Sequence, residues 1–183
     1  MKRENKIDRT AFYNTKEGEP FSLLISHRGG MNERAENTLA AFQNALDQGC
    51  NMMETDVMVT ADGVVLAIHD HTLGRLADRS DVRVSETNYA DLPPMSQFIE
   101  YDAADGGYQQ GADDDGQWLK LEDLFAAMPD TMLFHIDLKT DDAASADFVY
   151  EVIQAAGVSN RIIWGSNTAE IGDRCRELNP DIP

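Results

Sequence analysis

Apolar and polar positions divide the start of the chain into a strand, a loop and a helix. Residues 21–26 form a continuous apolar run, and a pair of glycines then turns the chain. A helix begins near Asn37 or Thr38, both of which are good N-caps. Positions at helical spacing give this helix one apolar side until Gly49 ends it. The pattern predicts a strand, loop and helix unit.

The next apolar segments predict a hairpin-like pair of strands followed by a long irregular stretch. Residues 51–60 and 64–68 have the composition of strands, and a tight Ala-Asp-Gly turn joins them. From residue 73 to residue 118 the periodicity weakens, because prolines, glycines and aspartates interrupt every long element. We expect a loop insertion that either covers the strand ends or is a surface feature without a role.

Regular alternation of strands and helices returns after the insertion. The pattern predicts strands at residues 131–139 and 161–165, and helices at residues 121–128, 143–156 and about 168–178. Such alternation indicates parallel β/α architecture. A complete eight-stranded barrel of this kind typically takes about 250 residues. The chain has 183 residues and stops near its fifth strand.

Composition is that of one domain, which we place at residues 1–183 with an insertion at about 73–118. With 42% hydrophobic residues, the chain can bury one sizeable core. Its 33 acidic and 15 basic residues give a net charge of −18. Because this charge repels polyanions, we expect no nucleic-acid partner.

Cysteine use and hydropathy bear on the location of the protein. Cys50 and Cys175 lie far apart and in no metal-ligand spacing, so we expect two free thiols in a reducing compartment. No uncharged apolar run has bilayer length, and the basic N-terminus lacks a following apolar segment. These features predict a cytoplasmic protein without a transmembrane segment.

Two carboxylates in one predicted strand are candidates for a metal site. Glu54 and Asp56 are two residues apart, so their side chains point to the same side of the strand. Like charges at this distance raise each other's pKa unless a cation lies between them. A hard ion such as Mg²⁺ or Ca²⁺ satisfies both carboxylates. The alternative is a pair of carboxylates on a solvent-facing side.

A later strand repeats this spacing. Asp137 can supply a third oxygen ligand, and Lys139 a cation for an anionic substrate. The alternative for this pair is a structural ion pair at the end of a strand. His135 has the same parity but lies deeper in the strand, so we expect it to be a core histidine with its hydrogen bonds satisfied.

His27 and His69 each follow an apolar strand. Histidine titrates near neutral pH, so two histidines that face each other across a phosphate can act as general acid and base. Arg28 can bind phosphate oxygens through its guanidinium. We expect Asp70 to orient His69 or to cap the turn. A structural role is the alternative for either histidine alone.

These residues, in this order, resemble the glycerophosphodiester phosphodiesterase family. The resemblance extends over most of the chain from about residue 21 and rests on the motifs His27-Arg28-Gly29, Glu36-Asn37-Thr38, Glu54-Thr55-Asp56, Thr60-Ala61-Asp62-Gly63, His69-Asp70 and Asp137-Leu138-Lys139. It implies a (β/α)8 barrel of the TIM type, of which this chain holds about the first five βα units.

The same resemblance implies the roles of the site residues. A divalent metal, Mg²⁺ or Ca²⁺, is then held by Glu54, Asp56 and Asp137. The catalytic acid and base become His27 and His69, although in some members the second of these histidines is counted as a metal ligand. The phosphate is bound by Arg28 and Lys139, and Glu36 supports binding as a partner of Arg28 or of the metal site.

The reaction implied is metal-dependent hydrolysis of a glycerophosphodiester to an alcohol and glycerol 3-phosphate. Several segments resemble more closely the branch that includes animal membrane-associated enzymes with lysophospholipase D activity. The substrate is then a small-molecule or lysolipid phosphodiester, and the protein is a candidate for peripheral membrane association. An apolar group in the insertion either covers a lipid tail or packs on the outer helices; it comprises Leu92, Pro93, Met95, Phe98, Ile99 and Tyr101.

Three features depart from the family pattern. Ala35 replaces a proline, Asp137 stands where many members have the longer glutamate, and about three βα units are missing. An open barrel exposes apolar strand edges, so we expect either a fragment of a longer chain or self-association through the open edge. The alternative function is an inactive barrel fragment that binds a metal or a partner.

Overall fold

Strands and helices alternate through most of the structure, a computed structural model that describes residues 23–102 and 105–183. In chain order the strands are β1 (Ile25–Ser26), β2 (Met52–Val59), β3 (Val65–Ala67), β4 (Thr72–Leu73), β5 (Arg79–Arg83), β6 (Phe98–Glu100), β7 (Gly107–Gln109), β8 (Leu133–Leu138) and β9 (Ile162–Ser166). The helices are α1 (Leu39–Asp47), α2 (Gly74–Ala77), α3 (Leu121–Ala127), α4 (Ser145–Ala156) and α5 (Ala169–Leu178).

Five strands form the central sheet. Its order is β1, β2, β8 and β9, with all neighbours parallel, and β3 pairs with β2 in the antiparallel direction. The predicted parallel β/α class and the hairpin-like pair are confirmed. Residues 21 and 22 of the first predicted strand lie outside the described residues. Within the described part of the chain the sheet is open rather than closed into a barrel.

The helices begin and end at the predicted signals. The Thr38 hydroxyl accepts a hydrogen bond from the Ala41 N–H at the start of α1, and Thr168 accepts one from Ile171 at the start of α5. Gly157 ends α4 with a positive φ of 68°, which glycine adopts without strain. These caps satisfy N–H and C=O groups that the helices themselves leave unpaired.

The main core lies between the sheet and its helices. Its largest members come from β2, β8 and the inner faces of α1, α3 and α4, and they include Phe42, Met53, Leu124, Phe134, Leu138, Val149 and Ile153. β2 is buried along all eight of its residues. Met53 and Val57 on one face belong to the main core, and Met58 on the other face belongs to a second apolar cluster. This burial also encloses the polar residues of β2.

The segment at 73–118 is more ordered than a simple loop. It forms two small antiparallel sheets, β4 with β5 and β6 with β7, joined by single turns of 3-10 helix. A second apolar cluster lies beneath it and includes Leu66, Ile68, Leu73, Leu76, Val84, Met95 and Ile99. The sequence does not predict these elements, because each is only two to five residues long and leaves no clear periodic pattern.

Among the described residues, no helix has both the length and the apolar character that a bilayer crossing requires.

Candidate active site

Three carboxylates meet where β2 and β8 run side by side. Asp56 pairs directly with Asp137 in the parallel register, and Glu54 lies two residues earlier on the same side of β2. One oxygen of each carboxylate lies within 4.8 Å of the other two. The predicted clustering of Glu54, Asp56 and Asp137 is therefore present in the fold, and Glu54 and Asp56 are both buried.

Burial and mutual repulsion perturb these carboxylates. Burial raises the pKa of Glu54 to about 7, and the neighbouring charge of Asp56 adds to the rise. Burial also raises the pKa of Asp56, although His69, Arg28 and Lys139 oppose that rise. The Lys139 ammonium compensates part of the charge, because its Nζ is 2.6 Å from an oxygen of Asp137 and 3.5 Å from one of Asp56.

A divalent cation fits this set of donors. Oδ2 of Asp56 and Oδ1 of Asp137 are buried and accept no hydrogen bond from the described residues. The Arg28 Nε atom is 3.1 Å from Asp56 Oδ2, but it is not aligned to donate a hydrogen bond. A Cβ on Gly165 would lie 3.0 Å from Asp137 Oδ1, so this glycine leaves the space beside that oxygen free. Carboxylate oxygens in such a cluster are ligands that Mg²⁺ and Ca²⁺ prefer.

Arg28 links β1 to the carboxylates through both its backbone and its side chain. Its φ of 52° is in the left-handed region, which costs energy in a residue with a side chain. In this conformation its N–H donates to Glu54 Oε2 at 2.8 Å. The guanidinium donates to Glu36 at 3.2 Å and to Asp102 at 2.8 Å. Glu36 is therefore a direct partner of Arg28, as predicted.

The two predicted histidines lie in different environments. The Nδ1 of His69 is 2.7 Å from Asp70 Oδ1, and this hydrogen bond raises the pKa of His69. Burial disfavours the Asp70 carboxylate, but hydrogen bonds from His69 and Arg75 outweigh it and hold the pKa of Asp70 at about 2. The prediction that Asp70 orients His69 agrees with this contact.

His27 is exposed at the end of β1, where burial of part of its ring and the charge of Arg28 lower its pKa. Asp56 and Asp102 oppose this shift, so their fields reach the ring. A cavity of about 560 Å³ opens beside His27, Arg28 and Asp102. The described lining of this cavity comes mostly from β1, the turn after it and α1, and includes none of the three carboxylates.

The other two histidines, His135 and His71, lie outside the predicted acid and base pair. His135 is half-buried rather than in the core, because its Nε2 faces the space that Gly165 leaves open beside Asp137. The expectation that His135 is a core residue is therefore wrong. His71 lies in a loop, and its Nδ1 is 2.8 Å from Asp141 Oδ1.

Two charged residues of the site were missed by the sequence analysis. Asp102 binds Arg28 and lies 3.7 Å from His69 Nδ1. Arg75 binds both Glu36 and Asp70. Both residues belong to the insertion, where the weak periodicity does not show which side chains face the site. Only the closeness of Arg75 in sequence to His69 and Asp70 could have indicated its role.

Comparison with known proteins shows the family of this chain. The model of the Glycerophosphoryl diester phosphodiesterase family matches residues 27–179, and the chain belongs to this family. Lysophospholipase D GDPD1 of Homo sapiens is 33% identical over 174 residues, which are 95% of this chain and 54% of that protein. Lysophospholipase D GDPD3 of Mus musculus is 29% identical over 160 residues, with 87% and 47% covered. The chain thus spans about half the length of these relatives.

Solved structures of the family share the fold. A glycerophosphodiester phosphodiesterase from Agrobacterium tumefaciens str. C58 superposes with a TM-score of 0.69 at 27% identity, over 88% of this chain and 64% of that chain. An Oleispira antarctica phosphodiesterase in complex with its product sn-glycerol-3-phosphate has a TM-score of 0.72 at 22% identity, over 93% and 65%. The expected fold class, a partial (β/α)8 barrel of the TIM type, is confirmed. The described residues give it four parallel strands, β1, β2, β8 and β9, where about five were expected.

Proposed function

We propose that this protein hydrolyses glycerophosphodiesters in a metal-dependent reaction that releases an alcohol and glycerol 3-phosphate. The observation that carries the proposal is that Glu54, Asp56 and Asp137, on the parallel strands β2 and β8, lie together with Arg28, Lys139 and His69. Family membership and the names of the matched relatives support the same reaction class.

The carboxylates would hold Mg²⁺ or Ca²⁺ through Glu54, Asp56 and Asp137. Such an ion supplies Lewis-acid stabilisation of negative charge on the phosphate when it is bound. Two of the three carboxylates have oxygens that no described residue satisfies, and this supports the assignment.

Arg28 and Lys139 place two positive charges beside this cluster. Arg28 can bind phosphate oxygens through a planar guanidinium, whereas Lys139 acts as a compact charge. Both cations are held by carboxylates, Arg28 by Glu36 and Asp102 and Lys139 by Asp137. They are therefore fixed before substrate arrives, which lowers the entropic cost of binding.

The histidines are assigned opposite parts in proton transfer. The raised pKa of His69 favours the protonated ring, which suits an acid that donates a proton to the departing alcohol. The lowered pKa of His27 favours the neutral ring, which suits a base. Asp70 occupies His69 Nδ1, so the proton that moves is the one on Nε2.

A lysophospholipid, whose hydrolysis would release the headgroup alcohol and an acylglycerol 3-phosphate, is the finer proposal for the substrate. The name of the human and mouse relatives supports it, as does Phe98, which is 48% exposed at the start of β6. β6 leads to the site, because the Glu100 carbonyl accepts a hydrogen bond from Arg75. An acyl chain would lie against this exposed ring.

A ³¹P NMR assay of glycerophosphocholine tests the reaction. We expect glycerol 3-phosphate to form with Mg²⁺ or Ca²⁺, to stop with EDTA and to stop in Asp56→Asn. Asp123→Asn, at an exposed position of α3, is the matched control and should retain activity. Persistent hydrolysis in EDTA would refute the metal requirement.

The same assay distinguishes the finer substrate and the alternative function. A clear preference for lysophosphatidylcholine, below its micelle concentration, would support the lipid substrate, whereas equal rates would favour a water-soluble glycerophosphodiester. The open sheet motivates the alternative of a fragment that binds metal without turnover. Metal binding without any product would favour that alternative.

A further inference from the structure

Arg75 uses every hydrogen-bond donor of its guanidinium within the site region. Its Nε donates to Asp70 Oδ2 at 2.8 Å, and its two terminal nitrogens bind both oxygens of Glu36 at 2.6 and 2.8 Å. The remaining two donors bind Asp70 Oδ1 at 3.0 Å and the Glu100 carbonyl at 2.8 Å. Five N–H groups are all that an arginine has.

The two carboxylates that Arg75 holds each contact a different functional side chain. Asp70 Oδ1 binds His69 Nδ1, and Glu36 Oε1 accepts from Arg28 Nη1. Arg75 therefore lies between the histidine assigned to proton transfer and the arginine assigned to phosphate. Only 12% of its side chain is exposed, so water screens these contacts weakly.

We propose that Arg75 is a positioning residue that fixes His69 through Asp70 and Arg28 through Glu36, a role that rests on the proposed phosphodiester hydrolysis. A neutral imidazole carries one proton, and a fixed Asp70 keeps that proton on Nδ1. The other ring nitrogen, Nε2, then stays available for proton transfer. A carboxylate free to rotate would not select one tautomer.

The fork geometry explains why arginine is needed at this position. Binding two oxygens on each of two carboxylates requires donors in one plane at fixed spacing. A lysine has three donors on one nitrogen and cannot reproduce this pattern. Arg75→Lys is therefore expected to keep the charge and lose the alignment.

The chain offers a matched arginine outside the site. Arg174 binds both oxygens of Asp147 between α5 and α4, at 2.5 and 3.0 Å. Replacing Arg174 removes a similar pair of hydrogen bonds without contact to the catalytic cluster. If loss of a paired arginine–carboxylate interaction impairs folding in general, the effect should appear in variants of both Arg75 and Arg174.

The test compares Arg75→Lys, Arg75→Ala and Arg174→Lys in the full chain. For glycerophosphocholine hydrolysis we expect kcat/KM to fall by about 10²-fold in both Arg75 variants, because small displacements of reacting groups cost about this much. Arg174→Lys should stay within about threefold of the wild type. Added guanidinium at millimolar concentration should restore part of the activity of Arg75→Ala, and thermal unfolding shows whether each variant is folded.

¹⁵N NMR of the imidazole nitrogens, in metal-free protein, gives a readout that does not depend on turnover. We expect neutral His69 to hold its proton on Nδ1 in the wild type and to become a mixture of tautomers in Arg75→Lys. If the wild type hydrolyses no phosphodiester, the proposed function fails while the tautomer still tests Arg75. An unchanged tautomer in a folded Arg75 variant would overturn the proposal, whether or not activity falls.

Discussion

The two histidines of the site lie in opposite electrostatic environments. A hydrogen bond to Asp70 raises the pKa of His69, and burial together with Arg28 lowers the pKa of His27. In metal-free protein, NMR titration of the imidazole C2 protons should therefore give a midpoint above 6.5 for His69 and below 6.5 for His27. Coincident midpoints would remove the basis for assigning acid and base.

Stability should depend on pH through His69. Because folding raises the pKa of His69, the stabilisation from its protonated ring is fully present below the unfolded value and is lost as pH rises through the folded value. His69→Gln should thus destabilise the protein more at about pH 5.5 than at about pH 8.5. Urea unfolding at both pH values measures this, and an equal loss at both would contradict it.

Side-chain parity within strands explains which site residues the sequence predicts. Glu54 and Asp56 share one side of β2, and the parallel register brings Asp137 beside them. Arg75 and Asp102 were not predicted, because they reach the site from 39 and 74 residues away along the chain. No local period encodes such contacts, and only the packed insertion creates them.

The turn that carries Arg28 depends on close packing against α1. Gly29 has a φ of 76°, and a Cβ there would lie 2.8 Å from the Cβ of Ala41. Gly30 also has a positive φ, of 92°, but a Cβ there would meet no atom of the described residues within 4 Å. A side chain at Gly30 would therefore add backbone strain alone, whereas a side chain at Gly29 would add both backbone strain and steric overlap.

Alanine at each glycine should measure the two costs. We expect Gly30→Ala to lower the free energy of unfolding by about 1–2 kcal/mol, the cost of a left-handed residue with a side chain. Gly29→Ala should cost about 1–3 kcal/mol more, because overpacking adds to that strain. Urea unfolding of both variants tests this, and equal losses would mean that α1 yields to the added methyl group.

The insertion divides its apolar residues between a core and the surface. Ile99 is 1% exposed and packs in the second apolar cluster, whereas its neighbour Phe98 is 48% exposed. Ile99→Ser should destabilise the protein by about 2–5 kcal/mol, as for other large losses in a core. Phe98→Ser should cost less than about 1 kcal/mol and is the cleaner test of an acyl contact. Comparable losses in unfolding experiments would place Phe98 in the core as well.

Long elements were predictable because their periods extend over many residues. The bounds of α4 and α5 follow Gly157 and Thr168, and β2 and β8 follow uninterrupted apolar runs. The strands β4 to β7 contain two to five residues each, which is too short for an alternating pattern to be distinguished from a loop. Packing against the second apolar cluster, rather than local strand propensity, stabilises these short strands.

At the scale of the whole molecule, the open sheet leads to a prediction about self-association. Within the described residues β1 has one neighbouring strand, and Leu24 and Ile25 are 52% and 49% exposed at this edge. Apolar strand edges pair readily with other chains. Sedimentation velocity should therefore show concentration-dependent dimers that Ile25→Lys weakens and Phe148→Lys, at an exposed apolar residue of α4, does not. A monomer at all concentrations would contradict this.

The proposed reaction depends on a divalent cation bound by the carboxylates of Glu54, Asp56 and Asp137. Calorimetric titration with Mg²⁺ and Ca²⁺ tests it most directly, because it needs neither a substrate nor turnover. We predict one site in the wild type and in the Asp123→Asn control, and an affinity at least about tenfold weaker in Asp56→Asn, since an amide replaces a charged ligand poorly. Equal affinity in Asp56→Asn and the wild type would exclude Asp56 from the metal site and refute this set of ligands.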